Sequence, residues 1–419
     1  MRACCYLLLV LVSHAPGFAP AQTETEAMPE PRIEEAIALM NAFAERTGLT
    51  SGRPPRRYLW TDAFAVCNYL GLARRTGEQE YTERALQLVE QVHHTLGRHR
   101  DDDPRTGWIS GLSAAAGERH PTQGGLRIGK TLPERGPDEP YDERLEWDRD
   151  GQYFHYLTRW MHALDQVARA TGEARFNSWA RELSRAAFTG FTYRPTLQPE
   201  PRRMHWKMSI DLGRALIPSM GQHDPLDGYV TNLQLQSTGS SLPSAGSPAL
   251  DAETRVYAGM MQPGEWATAD PLGLGSLLVD AWHLQQLGEQ GTITDPRLPA
   301  RLLEAALTGL RHYARSGATH QPAAYRLAFR ELGLTIGLHA VERMQQAAGE
   351  APPDTGDPRL HGQLRALLQF IPLRDEIEAF WRDPEHRRTE TWSEHQDIND
   401  VMLATSLAPH GYLELLPPD

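Results

Sequence analysis

Cysteine is scarce in this sequence, and so is any concentration of positive charge. The 419 residues include three cysteines, and Asp and Glu outnumber Lys and Arg by 54 to 42, which gives a net charge of −12. Three cysteines cannot form a disulfide framework, so the apolar core has to stabilise the fold. A nucleic-acid interface needs a basic stripe that displaces phosphate counterions, and none is present. Nucleic acid is therefore not an expected partner.

Long apolar runs are missing beyond the N-terminus, so no membrane-spanning helix and no membrane partner are expected. The N-terminus itself differs, because Arg2 is followed by the apolar residues 3–12 and by Ala-Pro-Ala at residues 19–21. This order is typical of a secretory signal, and it predicts export of a mature chain that begins at Gln22. The alternative is translation from Met28, which predicts a cytoplasmic protein.

Sequence motifs for several other chemistries are also absent. The histidines lack ligand spacings such as His-Glu-x-x-His, no Gly-rich phosphate loop follows a strand, and no Gly-x-Ser-x-Gly elbow occurs. Glu146, Asp148 and Asp150 imitate the start of a calcium loop. The twelfth position of that loop is Leu157, however, where a bidentate Glu is needed. We therefore expect neither a metal ion nor a cofactor.

What the sequence does contain is an internal repeat. Residues 73–85 read ARRTGEQEYTERA, residues 168–180 read ARATGEARFNSWA, and a third Thr-Gly begins at Thr355. Gly after a helical segment accepts a left-handed backbone, and the acid that follows it suits the first turn of the next helix. Each repeat is therefore a helical hairpin, and such units stack to bury their apolar faces.

Apolar spacing near 3.6 residues predicts the remaining helices. Inner, fully buried helices are predicted to begin near Trp60, Gln152, Trp206, Asp270, Gln321 and His395, and outer helices near Glu80, Ala174, Pro299 and Leu360. A helix over residues 33–46 is expected to pack outside the last inner helix. Residues 222–265 are rich in Gly, Pro and Ser and supply no third outer helix. The predicted fold is all-α, a single (α/α)6 toroid of helical hairpins over residues 22–419.

Loop length indicates where the function lies. The connections that lead into inner helices include two long ones, residues 98–150 and 222–268, whereas the turn at residues 76–78 from an inner to an outer helix is short. Loops longer than about 12–15 residues are usually functional or disordered. We therefore expect the chemistry at the mouth of the toroid, where the inner helices begin.

The first inner helix resembles a known group of enzymes. Its opening WTDAFA at residues 60–65, followed by Thr-Gly-Glu at residues 76–78 and by Tyr81, is similar to the six-hairpin glycosidases. Over residues 60–95 the resemblance is closest to unsaturated glucuronyl and rhamnogalacturonyl hydrolases. It implies a glycoside hydrolase in which Asp62 is the general acid. The structural alternative is that Asp62 only caps its helix.

Hydrolysis of a glycosidic bond needs a second carboxylate, which activates water or attacks the sugar. Asp150 is the main candidate, with Asp148 beside it, because the longest loop ends there and an inner helix follows. Clustering and burial help to keep one of two carboxyls protonated near neutrality. His223 is a further acid–base candidate. The alternatives are an acid-rich helix start for the two aspartates and an ordinary Asx-type turn for His223.

Tryptophans predict a saccharide as the partner. They recur in or beside the predicted mouth loops, at Trp60, Trp108, Trp147, Trp206, Trp266 and Trp392. Several aromatic rings on one face are typical of stacking platforms for the apolar faces of sugars. The predicted substrate-binding residues are Trp60, Trp147, Trp206, Trp266, Asp211 and Asp397.

Two alternatives to a hydrolase remain open at this point. One is a sugar epimerase of the acylglucosamine type, which relies on paired histidines, for which His223, His283, His395 and His410 are available. The other is a sugar-binding toroid without catalysis, because a fold does not determine a function. Carboxyls about 5–5.5 Å or 6.5–9.5 Å apart favour hydrolysis, and two facing histidines favour epimerisation.

The predicted signal gives a first test. Protein isolated from its native host is expected to begin at Gln22, because the small residues at 19–21 form the cleavage site. N-terminal sequencing or intact-mass measurement checks this. Detection of intact Met1 on the isolated protein would refute export.

Overall fold

The structure is a computed structural model that describes residues 30–196, 202–261, 265–292, 295–350 and 358–415. The predicted signal at residues 1–21 and the third Thr-Gly at Thr355 lie outside these ranges. Within them, no helix is long and apolar enough to cross a bilayer. No three His, Cys, Asp or Glu side chains of the described ranges are grouped as metal ligands.

Helices dominate the chain, and the few strands are two or three residues long. The helices are α1 (Glu30–Arg46), α2 (Leu59–Thr76), α3 (Gln79–Leu96), α4 (Ala114–Arg119), α5 (Glu143–Asp148), α6 (Phe154–Thr171), α7 (Ala174–Phe191), α8 (Asp224–Ser241), α9 (Asp251–Met260), α10 (Pro271–Glu289), α11 (Leu298–Arg315), α12 (Ala328–Glu350), α13 (Pro358–Leu367), α14 (Ile371–Arg382), α15 (Glu390–Ser393), α16 (Gln396–Leu407) and α17 (His410–Leu413). The strands are β1 (Gln152–Tyr153), β2 (Thr192–Tyr193), β3 (Arg203–Met204), β4 (Lys207–Met208) and β5 (Ala215–Ile217).

Six helices form a closed inner ring. Each packs against the next in the order α2, α6, α8, α10, α12 and α16, and α16 packs back against α2. Helices α3, α7, α9 and α11 pack on the outside, α13 and α14 cover α12, and α1 lies against α16. The predicted toroid is therefore confirmed, including the position of α1 beside the last inner helix.

Glycine ends the first two inner helices as the repeat predicts. Gly77 follows α2 with φ 76° and Gly172 follows α6 with φ 69°, and each N–H donates to the carbonyl four residues earlier. Only glycine adopts such a left-handed backbone without strain. The chain therefore reverses within two residues, and α3 and α7 return along the outside of the ring.

The prediction of an inner helix from Trp206 is wrong. Residues 207–208 form β4, which pairs antiparallel with β1 and β5 in a three-stranded sheet above α6. Lys207 is fully buried there, and its ammonium donates to Glu146 Oε1 at 3.1 Å and to the Arg149 carbonyl at 2.8 Å. The buried ion pair between Lys207 and Glu146 of α5 holds residues 207–208 in this strand.

Helix α8 is the true third inner helix, and α9 is its short outer partner. The sequence predicted one long loop over residues 222–268, and this prediction is wrong because the segment contains α8 and α9. Helix α8 was missed because it buries polar side chains instead of an apolar stripe. Gln234 Nε2 and Thr238 Oγ1 donate to Asp165 of α6 at 2.8 and 2.9 Å, and Ser184 of α7 donates to Asn232 Oδ1 at 2.6 Å. These hydrogen bonds offset the free-energy cost of burying polar side chains. A helix buried in this way shows no apolar periodicity in its sequence, so the sequence did not predict it.

The fifth inner helix also begins later than predicted. It starts at Ala328, and the residues from Gln321 onward include a short 3-10 turn over Ala323–Tyr325. Pro322 lies just before this turn, where it removes a backbone donor and disfavours a continuous helix. The other predicted starts, near Trp60, Gln152, Asp270 and His395, lie within two residues of α2, α6, α10 and α16.

The C-terminal segment closes the lower end of the ring. Gln166 of α6 donates to the Gly411 carbonyl at 2.9 Å, and Gln286 of α10 donates to the Leu413 carbonyl at 3.0 Å. Gly411 lies so close to α2 that a Cβ would come within 2.0 Å of the Cys67 carbonyl oxygen. Helix α17 is thus seated on the axis, and the opposite end, where the inner helices begin, is the mouth.

Gly411→Ala is expected to destabilise the fold by about 3 kcal/mol, because backbone on both sides prevents the added methyl from being accommodated. Gly259→Ala on α9 is the matched control, since a Cβ there meets nothing within 4 Å. It is expected to be neutral or slightly stabilising. Thermal or denaturant unfolding measures both. Equal stabilities for the two variants would contradict the seating of α17.

Asp224, in the first turn of α8, predicts a pH dependence of stability. Burial, together with the nearby Asp227, raises the pKa of Asp224 to about 8. Between pH 4 and 8 the folded chain therefore holds a proton that the unfolded chain releases. Stability falls as pH rises through this window, by up to about 1.4 kcal/mol for each pH unit.

Asp224→Asn keeps the acceptor for the Gly221 N–H, which Asp224 Oδ2 binds at 3.1 Å. The variant lacks the titration, so its melting temperature should fall less between pH 5 and 8 than that of the wild type. The other buried acids titrate in both proteins, so their effect on the melting temperature cancels when the two pH profiles are subtracted. Parallel pH profiles for the two proteins would show that Asp224 is ionised in the folded state.

Candidate functional site

Aromatic side chains form a continuous row across the mouth. We call this row, Trp206, Trp147, Tyr153, Tyr156, Trp60 and Phe329, the aromatic ridge. Successive ring centroids along it are 5.2, 6.4, 5.2, 6.4 and 6.4 Å apart. These distances are typical of aromatic pairs in contact. The structure thus brings together three of the predicted substrate-binding residues, Trp60, Trp147 and Trp206.

A second line of rings leads from the ridge down the axis of the toroid. Trp60 contacts Phe64 at 4.6 Å, and Phe64 stacks on Tyr412 at 4.3 Å. Tyr412 in turn contacts the imidazole of His162 at 5.0 Å. Because Tyr412 belongs to α17, the C-terminal segment forms the floor of the axis beneath the mouth.

Two carboxyl groups meet beside this floor. Arg159 Nη2 donates to Asp227 Oδ1 at 3.0 Å, and Asp227 shares a hydrogen bond with Asp280. Burial and the neighbouring Asp227 raise the pKa of Asp280 well above its usual range. Asp280 is therefore the member of this pair that more readily keeps a proton, and Asp227 beside it is paired with a guanidinium. We call Arg159, Asp227, Asp280, His283 and Tyr412 the axial cluster.

Two buried polar atoms of the axial cluster, Asp280 Oδ2 and His283 Nε2, accept no hydrogen bond from an N–H or hydroxyl of the described residues. The groups that Asp280 and His283 meet are the Asp227 carboxyl and the Tyr412 carbonyl. Asp280 and His283 lie three residues apart on α10 and therefore on one face of that helix. Buried polar groups are normally hydrogen-bonded, so two open positions on one face favour a place for a polar ligand or a water.

Two histidines also face each other on the axis. The rings of His162 and His283 stack at 5.0 Å. Both nitrogens of His162 are in use, since Nδ1 bonds Gln234 Oε1 at 3.0 Å and Nε2 bonds the Tyr412 carbonyl at 3.1 Å. Burial and the adjacent His162 lower the pKa of His283 well below its usual range, so its ring is neutral. The Tyr412 carbonyl is also within reach of the His283 ring, so the two imidazoles share this backbone acceptor.

Asp62 has structural partners on both of its oxygens. Its Oδ2 accepts from the Tyr58 N–H at 2.9 Å, and Arg57 Nη1 donates to its Oδ1 at 3.4 Å. The side chain is 1% exposed, and burial, opposed by Arg57, raises its pKa to about 6. This geometry corresponds to the capping alternative, because the carboxylate satisfies a backbone donor at the start of α2.

Asp150 is fully buried and holds the long loop onto the start of α6. Arg127 Nη1 donates to its Oδ2 at 2.7 Å, and the N–H groups of Gly129 and Gly151 each donate to its Oδ1 at 3.0 Å. The expectation that Asp62 and Asp150 face one shared pocket stays a prediction, and both carboxylates have partners within the protein. Each carboxylate is used by the wall of the toroid, where a buried ion needs such partners.

The other predicted site residues are dispersed. Asp148 ends α5 at the surface, and His223 Nε2 bonds the Trp266 carbonyl at 2.9 Å beside the start of α8. Asp211 lies in the β4–β5 turn, where Ser209 donates to it at 2.7 Å. Asp397 pairs with Arg46 and Arg56 at 2.6 and 2.9 Å, on the side facing α1.

Three of the six tryptophans are also away from the ridge. Trp266 is buried, and Arg301 of α11 lies 5.5 Å from its ring. Trp108 packs against Gly117, and Trp392 packs 5.6 Å from Trp381. These three tryptophans also lie in connections that lead into inner helices, but there they anchor the connections in the core.

Arg159 and Asp280 were not predicted from the sequence as site residues, and neither was Asp227. A signal was present, because Arg159 and Asp280 lie within inner helices whose other positions are largely buried. Asp280 interrupts the apolar run LGLGSLLV of α10. Charged residues are almost never fully buried unless they are paired. A lone acid inside an otherwise apolar helix is therefore a site candidate.

A cavity of about 570 Å³ lies elsewhere, on the outer wall between α3 and α7. It contains no residue of the ridge or the axial cluster. Arginines of the protein already cover its aromatic faces, since Arg98 lies 4.6 Å from the Trp108 ring and Arg175 lies 4.7 Å from the Phe176 ring. We therefore place the candidate site at the mouth and axis.

Comparisons with known proteins agree with the fold. No family model and no curated protein matches the sequence. A GH76 alpha-mannanase of Bacteroides thetaiotaomicron superposes with a TM-score of 0.51 at 10% identity, over 91% of this chain and 95% of that chain. Two further structures are similar. A cellobiose 2-epimerase from Spirochaeta thermophila has a TM-score of 0.46 at 12% identity, over 92% of this chain and 98% of that chain. A D-mannose isomerase has a TM-score of 0.48 at 11% identity, over 92% of this chain and 99% of that chain. At these identities the mannanase shows that the fold is shared, and the chemistry follows from this chain's own residues.

Proposed function

We propose that this chain is a carbohydrate-active enzyme that holds a saccharide at the mouth and processes it at the axial cluster. The observation that carries the proposal is the line of rings from Trp60 through Phe64 to Tyr412, which leads from the ridge to the axial cluster with its buried Asp227–Asp280 pair. Aromatic faces suit the apolar faces of sugars, and acid–base groups suit their oxygens.

The finer proposal is hydrolysis of a glycosidic bond. Asp280 gives its proton to the glycosidic oxygen as the bond to the anomeric carbon breaks, and the leaving sugar departs as an alcohol. The Asp227 carboxylate stabilises the positive charge that develops on the remaining sugar. A water then adds to the anomeric carbon, and its proton returns to the carboxyl pair.

The Asp227–Asp280 contact sets a condition for this mechanism. Retaining hydrolysis needs carboxyls about 5–5.5 Å apart, and inverting hydrolysis needs about 6.5–9.5 Å. The hydrogen bond between the two side chains must therefore open when the sugar binds. Arg159 keeps Asp227 of α8 in place through its hydrogen bond. Asp280 is therefore the group that turns away from Asp227 to meet the glycosidic oxygen.

The uronyl-hydrolase likeness around residues 60–95 predicted Asp62 as the general acid. We place the proton donor at Asp280 instead, because both oxygens of Asp62 are already used by Arg57 and Tyr58. The shared fold with the mannanase supports a sugar substrate by analogy only.

Isomerisation or epimerisation of a sugar is the second candidate. The neutral ring of His283 favours it, since an unprotonated imidazole can take a proton from carbon next to a carbonyl. A symmetric His pair is not available, because both nitrogens of His162 are occupied. His223, His395 and His410 do not belong to the axial cluster.

The test is turnover of a panel of neutral and unsaturated oligosaccharides and polysaccharides. Asp280→Asn is expected to lower kcat by about 100-fold or more, because the amide keeps the shape and hydrogen bond of a protonated carboxyl but cannot release a proton to the substrate. Hydrolysis increases the number of reducing ends, whereas epimerisation changes the sugar and leaves that number constant. Chromatography of the products distinguishes the two reactions.

Asp62→Asn is the matched control. It removes a buried carboxylate but retains an acceptor for the Tyr58 N–H, so kcat should remain close to that of the wild type. Thermal unfolding confirms that both variants are folded. A severe loss in Asp62→Asn with full activity in Asp280→Asn would return the general acid to Asp62 and contradict the axial site.

A further inference from the structure

Exposed apolar side chains are confined to one end of the molecule. Among the described residues, the exposed large hydrophobic side chains are Leu132, Tyr141, Leu145, Trp147, Met220, Tyr325 and Leu327. All of them lie in connections that run from an outer helix into the next inner helix, and these connections surround the mouth. An apolar surface rimmed by polar residues marks a binding site.

Most of these side chains form two separate lips. Tyr141, Leu145 and Trp147 precede α6 and form the first lip, whereas Tyr325 and Leu327 precede α12 and form the second lip. In the ring, α6 and α12 are opposite each other. With neighbouring axes about 8–10 Å apart, opposite helices of a six-membered ring are about 16–20 Å apart. A ligand that touches both lips must therefore be a chain and not a single sugar.

The aromatic ridge joins the lips. It includes Trp147 of the first lip and ends at Phe329, two residues after Leu327 of the second. The line of rings toward the axial cluster branches from the ridge at Trp60, which lies between its ends. Sugar units bound to the two lips would therefore lie on both sides of the axial carboxyls.

The charges around the lips disfavour an anionic polymer. Asp142, Glu143 and Asp148 are exposed beside the side chains of the first lip, whereas Glu139 and Glu146 are paired with Arg149 and with Arg135 and Lys207. The only Lys or Arg in residues 316–327 is Arg326, whose guanidinium is held by Glu331 at 2.6 Å. Like charges repel a polyanion, and the net charge of −12 acts in the same direction.

We propose that the mouth binds an extended, uncharged polysaccharide that spans from the first lip to the second along the aromatic ridge. This inference rests on the proposed function and names its substrate class. Because sugar units occupy both lips, the enzyme acts within chains and not on free monosaccharides.

Affinity electrophoresis of the mature full-length chain tests the proposal, in native gels that contain soluble mannan, xylan, hydroxyethyl cellulose or polygalacturonate. At least one of the three neutral polymers should retard the protein, and polygalacturonate should not. Tyr325→Ala and Trp147→Ala should each weaken the interaction about tenfold, since each removes one stacking platform. Tyr325→Phe keeps the ring and should bind like the wild type.

Each other outcome has a defined meaning. Turnover of a neutral polymer with retardation that neither Ala variant changes would overturn the lips and leave the proposed function standing. Retardation that requires Tyr325, without turnover of any polymer, would support the lips and contradict the enzymatic function. Retardation by polygalacturonate, or by none of the polymers, would overturn the proposal. So would a dimer that Tyr325→Ala dissociates in gel filtration, because the lips would then bind a second copy.

Discussion

The close approach of Gly411 to α2 is the constraint on which the rest of the structure depends. Where the two backbone segments meet, a Cβ on Gly411 would lie 2.8 Å from the Gly71 Cα. Neither Gly411 nor Gly71 therefore has room for a side chain. The contact lets the last segment of the chain sit under the ring that began with α2. It places Tyr412 on the axis, where its ring supports Phe64 and its hydroxyl bonds Arg159. The floor of the site is thus built by the closure of the fold.

Buried carboxylates in this protein serve two different purposes. Asp165 accepts from Arg169, Asn177, Gln234 and Thr238, and it thereby ties α6, α7 and α8 together. Asp150 likewise holds the longest loop. Asp280 differs, since it meets another carboxyl group, Asp227, and burial favours its protonated form. Carboxylates that accept from N–H groups and guanidiniums stabilise the wall, whereas a carboxyl that meets another carboxyl is a candidate for chemistry.

The mouth and the axis depend on each other physically. The rings of Trp60, Phe64 and Tyr412 connect the ridge to the axial cluster, where burial raises the pKa of Asp280 and strengthens the Arg159–Asp227 pair. In the ridge itself Trp147 is 40% exposed, whereas Trp60 and Tyr153 are buried. Under the proposed function, the exposed part of the ridge would recognise a saccharide, and the buried rings would link it to the axial cluster.

The sequence by itself determined the hairpins, because a Thr-Gly-Glu turn and apolar spacing are local properties, as α2–α3 and α6–α7 show. It also predicted that tryptophans gather at the mouth, and Trp60, Trp147 and Trp206 do so. It could not reveal α8, whose polar face is satisfied only by Asp165 and Ser184 on other helices. It placed the acids at Asp62 and Asp150, since a helix start favours carboxylates whether or not they react. Only the tertiary structure decided which buried acids have a raised pKa, because burial and neighbouring charges depend on residues far apart in the chain.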